Sequence, residues 1–500
     1  MGVFQKISTQ FFLKRMKRIH AFIDTGETLQ KETLMSFIEE AQNTEIGRRY
    51  NFSQIKNPQE FQKTVPLHFY EDLEKDILRM KSGEENILWP TSIEFFSKSS
   101  GTTGSKSKFI PVSYEFLENG HYRGGKDMIS LYCNQNKETS LFMGKTFALG
   151  GSLDIDDSSH IVSGDVSAVI LHNLPLWARI FRTPTQEIAI MNDWEEKSKK
   201  IVEILINEDL RALAGAPAWI LAILKKVKEQ SGVSTLSHLW PNLEVFFYGG
   251  TSIKPFKQEI SSLIGKEINY MSIYSASEGF FAIQDDCSLD GDMLLILDLD
   301  VVYEFLSFPH KEGDTPIFIG DLEQGKIYEL IITTSAGLWR YRIGDLVKIT
   351  SLQPLRVQIV GRTKQFINVF GEEVMVHNVE NALREACKKC ICIVHEFTVA
   401  PIFQTQTQKG GHQWLIEFLK EPEDINQFTI VLDEELRKVN GDYDAKRNEK
   451  MEIMQMLQVK NVQLGTFLKW LQSKDRVGGQ YKVPRLSNER TYINEIITLG

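Results

Sequence analysis

Through residues 1–92 apolar side chains recur at helical spacing, as in Lys31-Glu-Thr-Leu-Met-Ser-Phe-Ile-Glu-Glu-Ala41, so this region predicts helices. The stretch Val65 to Met80, with Pro66 ahead of Tyr70-Glu-Asp-Leu-Glu74, predicts a strand end leading into another helix. Ile93-Glu-Phe-Phe96 has a β pattern, and the segment 113–134 reads as a helix with Ser113 as its N-cap. Ser140–Met143 and Phe147–Ser152 are strand-like, and helical patterns return at Trp194–Asn207 and at Pro217–Gln230, which opens on proline. Next come a strand at Leu243–Tyr248, a helix at Lys254–Ile264 and a strand at Ile268–Tyr274. That alternation predicts parallel strands with covering helices. Val301–Phe308, Gly325–Thr334 and Leu346–Thr350 predict a β-rich, more antiparallel subdomain.

Past Gly361 the pattern changes to a helix at Val376–Cys387, strands at His395–Ala400 and Gln413–Leu419, and a helix at Glu423–Val439. Residues 404–412 between the two strands read as a hairpin loop. The fold class is therefore α/β: a large N-terminal α/β domain over 1–360, a hinge at 361–370 and a small α+β domain over 371–500.

Composition narrows the function classes. Hydrophobic content of 42% and charged content of 25% are those of a soluble globular protein. A net charge of −9 leaves no basic excess for general nucleic-acid binding. Met1–His20 is amphipathic and basic through Lys6, Lys14, Arg15, Lys17 and Arg18, but lacks the continuous apolar core of a signal peptide or membrane span. A helix packed on its own domain is expected there, and no integral membrane segment. Five cysteines in 500 residues make no disulfide framework and suit the cytoplasm. Cys387-Lys-Lys-Cys-Ile-Cys392 has no second pair at zinc spacing, so half-buried thiols are expected rather than a metal site.

The chemistry centres on Ser97-Lys-Ser-Ser-Gly-Thr-Thr-Gly-Ser-Lys-Ser-Lys-Phe-Ile-Pro111. Glycine frees the backbone to aim its amides at a ligand, hydroxyls donate hydrogen bonds and lysine neutralises charge, which together describe a phosphate-cradling loop. Gly101 and Gly104 are too close together for a Walker A loop, and taken alone a polar surface turn remains open. Tyr248-Gly-Gly-Thr-Ser252 and Tyr274-Ser-Ala-Ser-Glu278 each follow a predicted strand, at the sheet edge where α/β proteins bind ligands. The second offers a ring to stack on a base and a carboxylate for Mg²⁺; the bland alternative is Ser275 or Ser277 capping a helix start. Asp345 follows a glycine turn in Trp339-Arg-Tyr-Arg-Ile-Gly-Asp-Leu346, either to accept from ribose hydroxyls or to pair with arginine at a β corner. Gly361-Arg-Thr-Lys364 falls at the domain junction, and Gly478-Gly-Gln-Tyr-Lys482 is a loop whose lysine can reach a distant site. No Gly-x-Ser-x-Gly or His-Glu-x-x-His anchors a hydrolase reading.

In order, these stretches resemble the adenylate-forming superfamily of acyl-CoA synthetases, luciferases and peptide-synthetase adenylation domains. The closer resemblance is to the acyl-acid amido synthetases, first named as auxin-responsive promoter proteins in plants, and to their bacterial branch. Ser-Ser-Gly-Thr-Thr-Gly…Lys-Phe-Ile-Pro, Asn269–Gln284 and Gln480-Tyr-Lys-Val-Pro-Arg485 carry it.

This resemblance implies a ligase that spends ATP to make an acyl-adenylate from a small-molecule carboxylic acid and passes the acyl group to an amine, as of an amino acid. It implies ATP and Mg²⁺ as cofactors and a cytoplasmic monomer. Ser99, Ser100, Thr102, Thr103 and Lys106 would hold phosphates, with Gly249, Gly250 and Thr251 flanking the adenine. Tyr274 would stack on it beside Ser277, Glu278 would ligate Mg²⁺, and Asp345 and Arg362 would bind ribose. Lys364 would mark the hinge and Lys482 contact the reacting carboxylate; Glu278, Thr102 and Lys482 form the implied catalytic set. The acyl pocket is expected between the helix 113–134 and the sheet, with Arg123 and Leu149 as lining; an exposed helix charge is the other reading of Arg123. Acyl-CoA synthesis and a non-catalytic nucleotide-binding protein remain the rival functions.

Overall fold

A computed structural model describes residues 3–99, 108–151, 153–156, 161–191, 193–250, 253, 256–288, 291–308, 310, 313–363, 366–372, 374–405, 409–448, 453–473 and 485–499. The opening helices Val3–Leu13 and Met16–Ala41 bury Phe12, Met16, Ile19 and Phe22 in the main core. Their basic charge is partly internal: Arg15 pairs with Asp127 and, at 2.8 Å, with Asp298. The N-terminal helix thus packs on its own domain, as its pattern predicts. No helix among the described residues is long and apolar enough to cross a membrane.

Behind these helices lies an eleven-stranded sheet. One half is parallel: Asn269–Ala276, Val245–Gly249, Leu210–Gly215, Lys145–Ala148 and Arg182–Thr183 lie side by side. The helices Trp194–Leu205, Pro217–Ser231 and Lys257–Ile264 cover one face, burying Ile201, Leu205, Leu224 and Ile260 in a second core. The helix Arg123–Gln135 and the N-terminal helices cover the other. The other half is antiparallel: Val301–Ser307, Ile327–Thr334, Tyr341–Leu352 and Leu355–Arg362 pair in sequence and join the parallel half through Met293–Leu295 and Gly279–Ile283. The predicted antiparallel region is therefore an extension of the main sheet rather than a sheet of its own.

A separate four-stranded sheet carries the phosphate-loop candidate. Phe95–Ser99 pairs antiparallel with Lys108–Val112, and Ser99 faces Lys108, which fixes both ends of segment 100–107. Ile161–Gly164 and Leu153–Asp156 complete this sheet.

The sequence reading of Ser140–Met143 as a strand is corrected. Leu141–Met143 is a 3₁₀ turn and the strand is Lys145–Ala148, because Glu244 accepts from both the amide and the hydroxyl of Ser140 at 3.1 Å and turns the chain there. Ser113 caps its helix as expected, accepting from Phe116 N at 2.9 Å, and that helix carries one π-helical turn, Leu117–Tyr122.

In the C-terminal part, Ile393–Ile402 and Gly411–Lys420 form the expected hairpin, joined by Gln458–Val462 into a three-stranded sheet. The helices Val376–Cys390 and Ile425–Val439 pack together against the second core. That core is shared with the helices Pro217–Ser231 and Lys257–Ile264: the Phe256 and Phe370 rings meet edge to face at 6.0 Å, and Lys446 Nζ lies 4.4 Å over the Trp219 ring.

Candidate active site

The strand Asn269–Ala276 turns at Ser277–Glu278 directly into Gly279–Ile283. Tyr274 therefore lies inside a strand, and no helix starts at Ser275 or Ser277. The turn is tight because Gly279 has no side chain: a Cβ there would come within 2.8 Å of the Phe281 ring and 3.2 Å of the Phe116 ring. This seats Glu278 in a nearly closed position, 7% exposed.

Two other strands bring the partners. Gly344, with φ of 85°, lies in a bulge against Ile327–Thr334, and the next residue, Asp345, stands opposite Arg362 on the other neighbouring strand. Asp345 accepts from the Tyr274 hydroxyl at 2.5 Å and from Arg362 Nε at 2.6 Å, and both Tyr274 and Asp345 are buried. Of the two sequence readings of Asp345, the arginine pair at a β corner is present, and Asp345 and Arg362 both act electrostatically on Glu278. The Tyr274 phenol is held well above its ordinary range by burial and by the Asp345 carboxylate, so it stays a proton donor. Burial pushes the Glu278 carboxyl up to about 7; the Arg362 charge opposes this shift and Asp345 reinforces it.

Toward the phosphate-loop candidate, Ser277 Oγ donates to Lys98 O over a long 3.4 Å. Lys108, at the far end of that loop, pairs with Glu71 at 3.7 Å, lies 5.1 Å over the Tyr70 ring, and acts electrostatically on Glu278. The sequence reading placed Lys108 within the loop without assigning it a role; its position next to the loop was the available signal. Gly249 ends the adjacent parallel strand, where a Cβ would meet the Ile273 carbonyl at 2.9 Å, and Gly250 takes φ of 77°.

The structure thus brings Tyr274, Ser277, Glu278, Asp345 and Arg362 together, with Gly249 and Gly250 on the next strand. It does not bring Arg123 and Leu149 together. Arg123 donates to Asn119 and to the Asp298 carbonyl at 2.6 and 3.1 Å, in the network that holds Arg15, while Leu149 packs with the second core. Ser100, Thr102, Thr103, Lys106, Thr251, Lys364, Lys482 and the side chain of Ser99 lie outside the described residues.

Within the π-helical turn, His121 is buried with neither ring nitrogen hydrogen-bonded, and burial pushes its pKa down to about 4. Its ring meets Phe116 edge-on at 5.4 Å.

The donor set suits magnesium. Among the described residues no three His, Cys, Asp or Glu side chains form a metal cage. Mg²⁺ characteristically takes one or two carboxylates and completes its shell with phosphate oxygens and water, and a buried carboxyl disfavoured as an anion gains by meeting a cation.

Comparison with known proteins agrees with this organisation. Residues 15–268 match the GH3 family N-terminal domain, residues 294–362 its central domain and residues 377–491 its C-terminal domain. An indole-3-acetic acid-amido synthetase of Arabidopsis thaliana, GH3.4, is 23% identical, the alignment covering 97% of this chain and 93% of that protein. The jasmonoyl–L-amino acid synthetase JAR6 of Nicotiana attenuata is 22% identical, covering 92% and 91%. The solved GH3.15 acyl acid amido synthetase superposes with a TM-score of 0.62 at 18% identity, covering 97% and 95%. A 2-hydroxyisobutyryl-CoA ligase, in complex with 2-HIB-AMP and CoA, superposes at 0.55 with 14% identity, covering 95% and 92%. The fold is that of adenylate-forming ligases, and the chain belongs to the GH3 family.

Proposed function

We propose that this protein activates a carboxylic acid with ATP and transfers the acyl group to an amine, that of an amino acid. The observation that carries the reading is the cluster in which buried Tyr274 and Asp345 meet Arg362 beside Glu278, close to Lys98 and Lys108 at the two described ends of the phosphate-loop candidate. In the first step a carboxylate oxygen attacks the α-phosphorus, and the bond to pyrophosphate breaks. In the second the amine nitrogen attacks the acyl carbon, the bond to AMP breaks, and the nitrogen gives up a proton.

Little covalent chemistry falls to the protein, so its contribution is positioning and charge stabilisation. Asp345 and Arg362 hold the ribose hydroxyls, and Gly249 to Thr251 leave room for the adenine against Tyr274. Lys108, Ser99, Ser100, Thr102, Thr103 and Lys106 receive the phosphates. Glu278 would hold Mg²⁺, which neutralises phosphate charge when bound. Lys482 approaches the reacting carboxylate, and Lys364 lies in the segment about which the C-terminal part turns between the two steps.

Thioester formation is the second reading, because the fold is shared with a CoA ligase. ATP–pyrophosphate exchange over a panel of acids, followed by mass spectrometry with amino acids or CoA as acceptor, tests both. Amide products are expected. Exchange with thioester and no amide would replace the first reading by the second, and no exchange with any acid would overturn both.

A further inference from the structure

At the far edge of the parallel half lie two cations that the proposed reaction has not used. Arg182 sits on the short strand beside Lys145–Ala148 and donates from Nη2 to Ala148 O at 2.8 Å. Its Nε is buried without a partner. Lys197, 3% exposed in the first turn of Trp194–Leu205, donates from Nζ to the Gly150 and Gly151 carbonyls at 2.6 and 3.0 Å. In the same turn, at the first residue of that helix, Trp194 Nε1 is also buried without a partner.

The two side chains bracket the loop that leaves the carboxyl end of Lys145–Ala148, on the sheet edge that carries Gly249 and Glu278. Neither forms an ion pair with a carboxylate among the described residues. Asp165 abuts Gly151 and acts on Lys197 through space.

Holding two glycine carbonyls and one alanine carbonyl needs donors, not charge. An amide side chain would do it without the cost of burying a cation. Arginine presents five N–H donors in a planar fork matched to a carboxylate, and only one bond here is filled. Burial pushes Lys197 down to about 8, with the Arg182 charge adding to the shift, and pushes Arg182 down to about 10. An arriving anion would offset that cost for both.

We propose that Arg182 and Lys197 form a subsite for a substrate carboxylate that does not itself react. The inference rests on the amide-synthetase reading, which supplies two such groups: the α-carboxylate of the amino-acid acceptor and a second carboxylate on the acid. Both are the same ligand chemistry.

The test uses the full-length chain with ATP and Mg²⁺, comparing wild type, Arg182→Gln and Arg182→Lys. Glutamate and glycine are compared as acceptors with glutamic acid α-amide and glycinamide. Succinate and phthalate are compared as acids with their half-amides. The expected result is a rise of about 10- to 100-fold in KM for the carboxylate-bearing reactant in Arg182→Gln. KM for its amide analogue, KM for ATP and Tm should hold, with partial rescue in Arg182→Lys. An effect confined to acceptors assigns the α-carboxylate; one confined to acids, read by pyrophosphate exchange alone, assigns the second carboxylate. Equal changes for carboxylate and amide, or no change in either, overturn the subsite. Absence of amide product from wild type would instead count against the amide-synthetase reading, and exchange would still test the acid arm.

Discussion

Replacing Asp345 by asparagine preserves the shape of the central cluster and removes its charge. Asp345 accepts two hydrogen bonds, from the Tyr274 hydroxyl at 2.5 Å and from Arg362 Nε at 2.6 Å. Asparagine has one acceptor oxygen where Asp345 has two, so it can go on accepting from Arg362 Nε while its NH2 faces the Tyr274 oxygen. The Tyr274 bond to a charged acceptor, about 1.5–3 kcal/mol, then becomes a neutral one of about 0.5–1.5, a loss of about 1–1.5 kcal/mol. The Arg362 side chain, 21% exposed, also loses its counter-charge. Asp345→Asn should therefore lower the free energy of unfolding by about 1–1.5 kcal/mol or more. Urea unfolding followed by circular dichroism, with and without saturating ATP, measures this. If Asp345 and Arg362 bind ribose, ATP should stabilise wild type more than the variant. A loss below about 0.5 kcal/mol, or equal stabilisation of both by ATP, would refute the reasoning.

Glu278→Gln should raise the Mg²⁺ concentration needed for half-maximal pyrophosphate exchange by about tenfold, the worth of one charged contact, with the fold intact by circular dichroism; unchanged exchange at limiting Mg²⁺ rules the role out. Lys364→Pro fixes φ near −65° and restricts Thr363, so amide formation should fall far more than acyl-adenylate formation, while Lys364→Ala stays mild in both. Comparable loss of both steps in a folded proline variant would count against two conformations. His121 has a folded pKa of about 4 and an ordinary value of about 6.5, so between those values the unfolded chain binds more protons. The stability this group contributes is complete above pH 6.5 and is lost as pH falls toward 4. His121→Leu should shrink the wild-type difference in unfolding free energy between pH 7 and 4.5 by about 2–3 kcal/mol, and an unchanged difference would sink the idea.

What the sequence made legible followed from local rules. The alternation from Leu243 to Tyr274, the Ser113 cap and the hairpin around 404–412 each depend on residues near one another in the chain, and each is present. The loop 97–111 and its order relative to Glu278 and Asp345 were legible because glycine, hydroxyl and charged residues recur in a fixed succession. The pairing of Tyr274 with Asp345 was not, since residues 71 positions apart meet only through sheet register. The strands Leu153–Asp156 and Ile161–Gly164 are only four residues each, too short to show a period. Leu210–Gly215 was hidden for another reason: it is covered on both faces, so the alternation that marks a half-exposed strand is missing. The acceptors of Arg123 were not legible either, because Asn119 lies one turn away and the Asp298 carbonyl on a distant loop.

If the C-terminal part turns between the two half-reactions as proposed, the apolar seam between Phe256 and Phe370 gives the second a thermal character. A C-terminal part that turns about Arg362–Lys364 must part some of this seam, and parting apolar surface raises heat capacity. The acyl-transfer rate should then bend on an Arrhenius plot while adenylation stays straighter. Because apolar contacts weaken on cooling, the seam resists opening least in the cold, so transfer should lose less speed at low temperature than its rate near 40 °C would suggest.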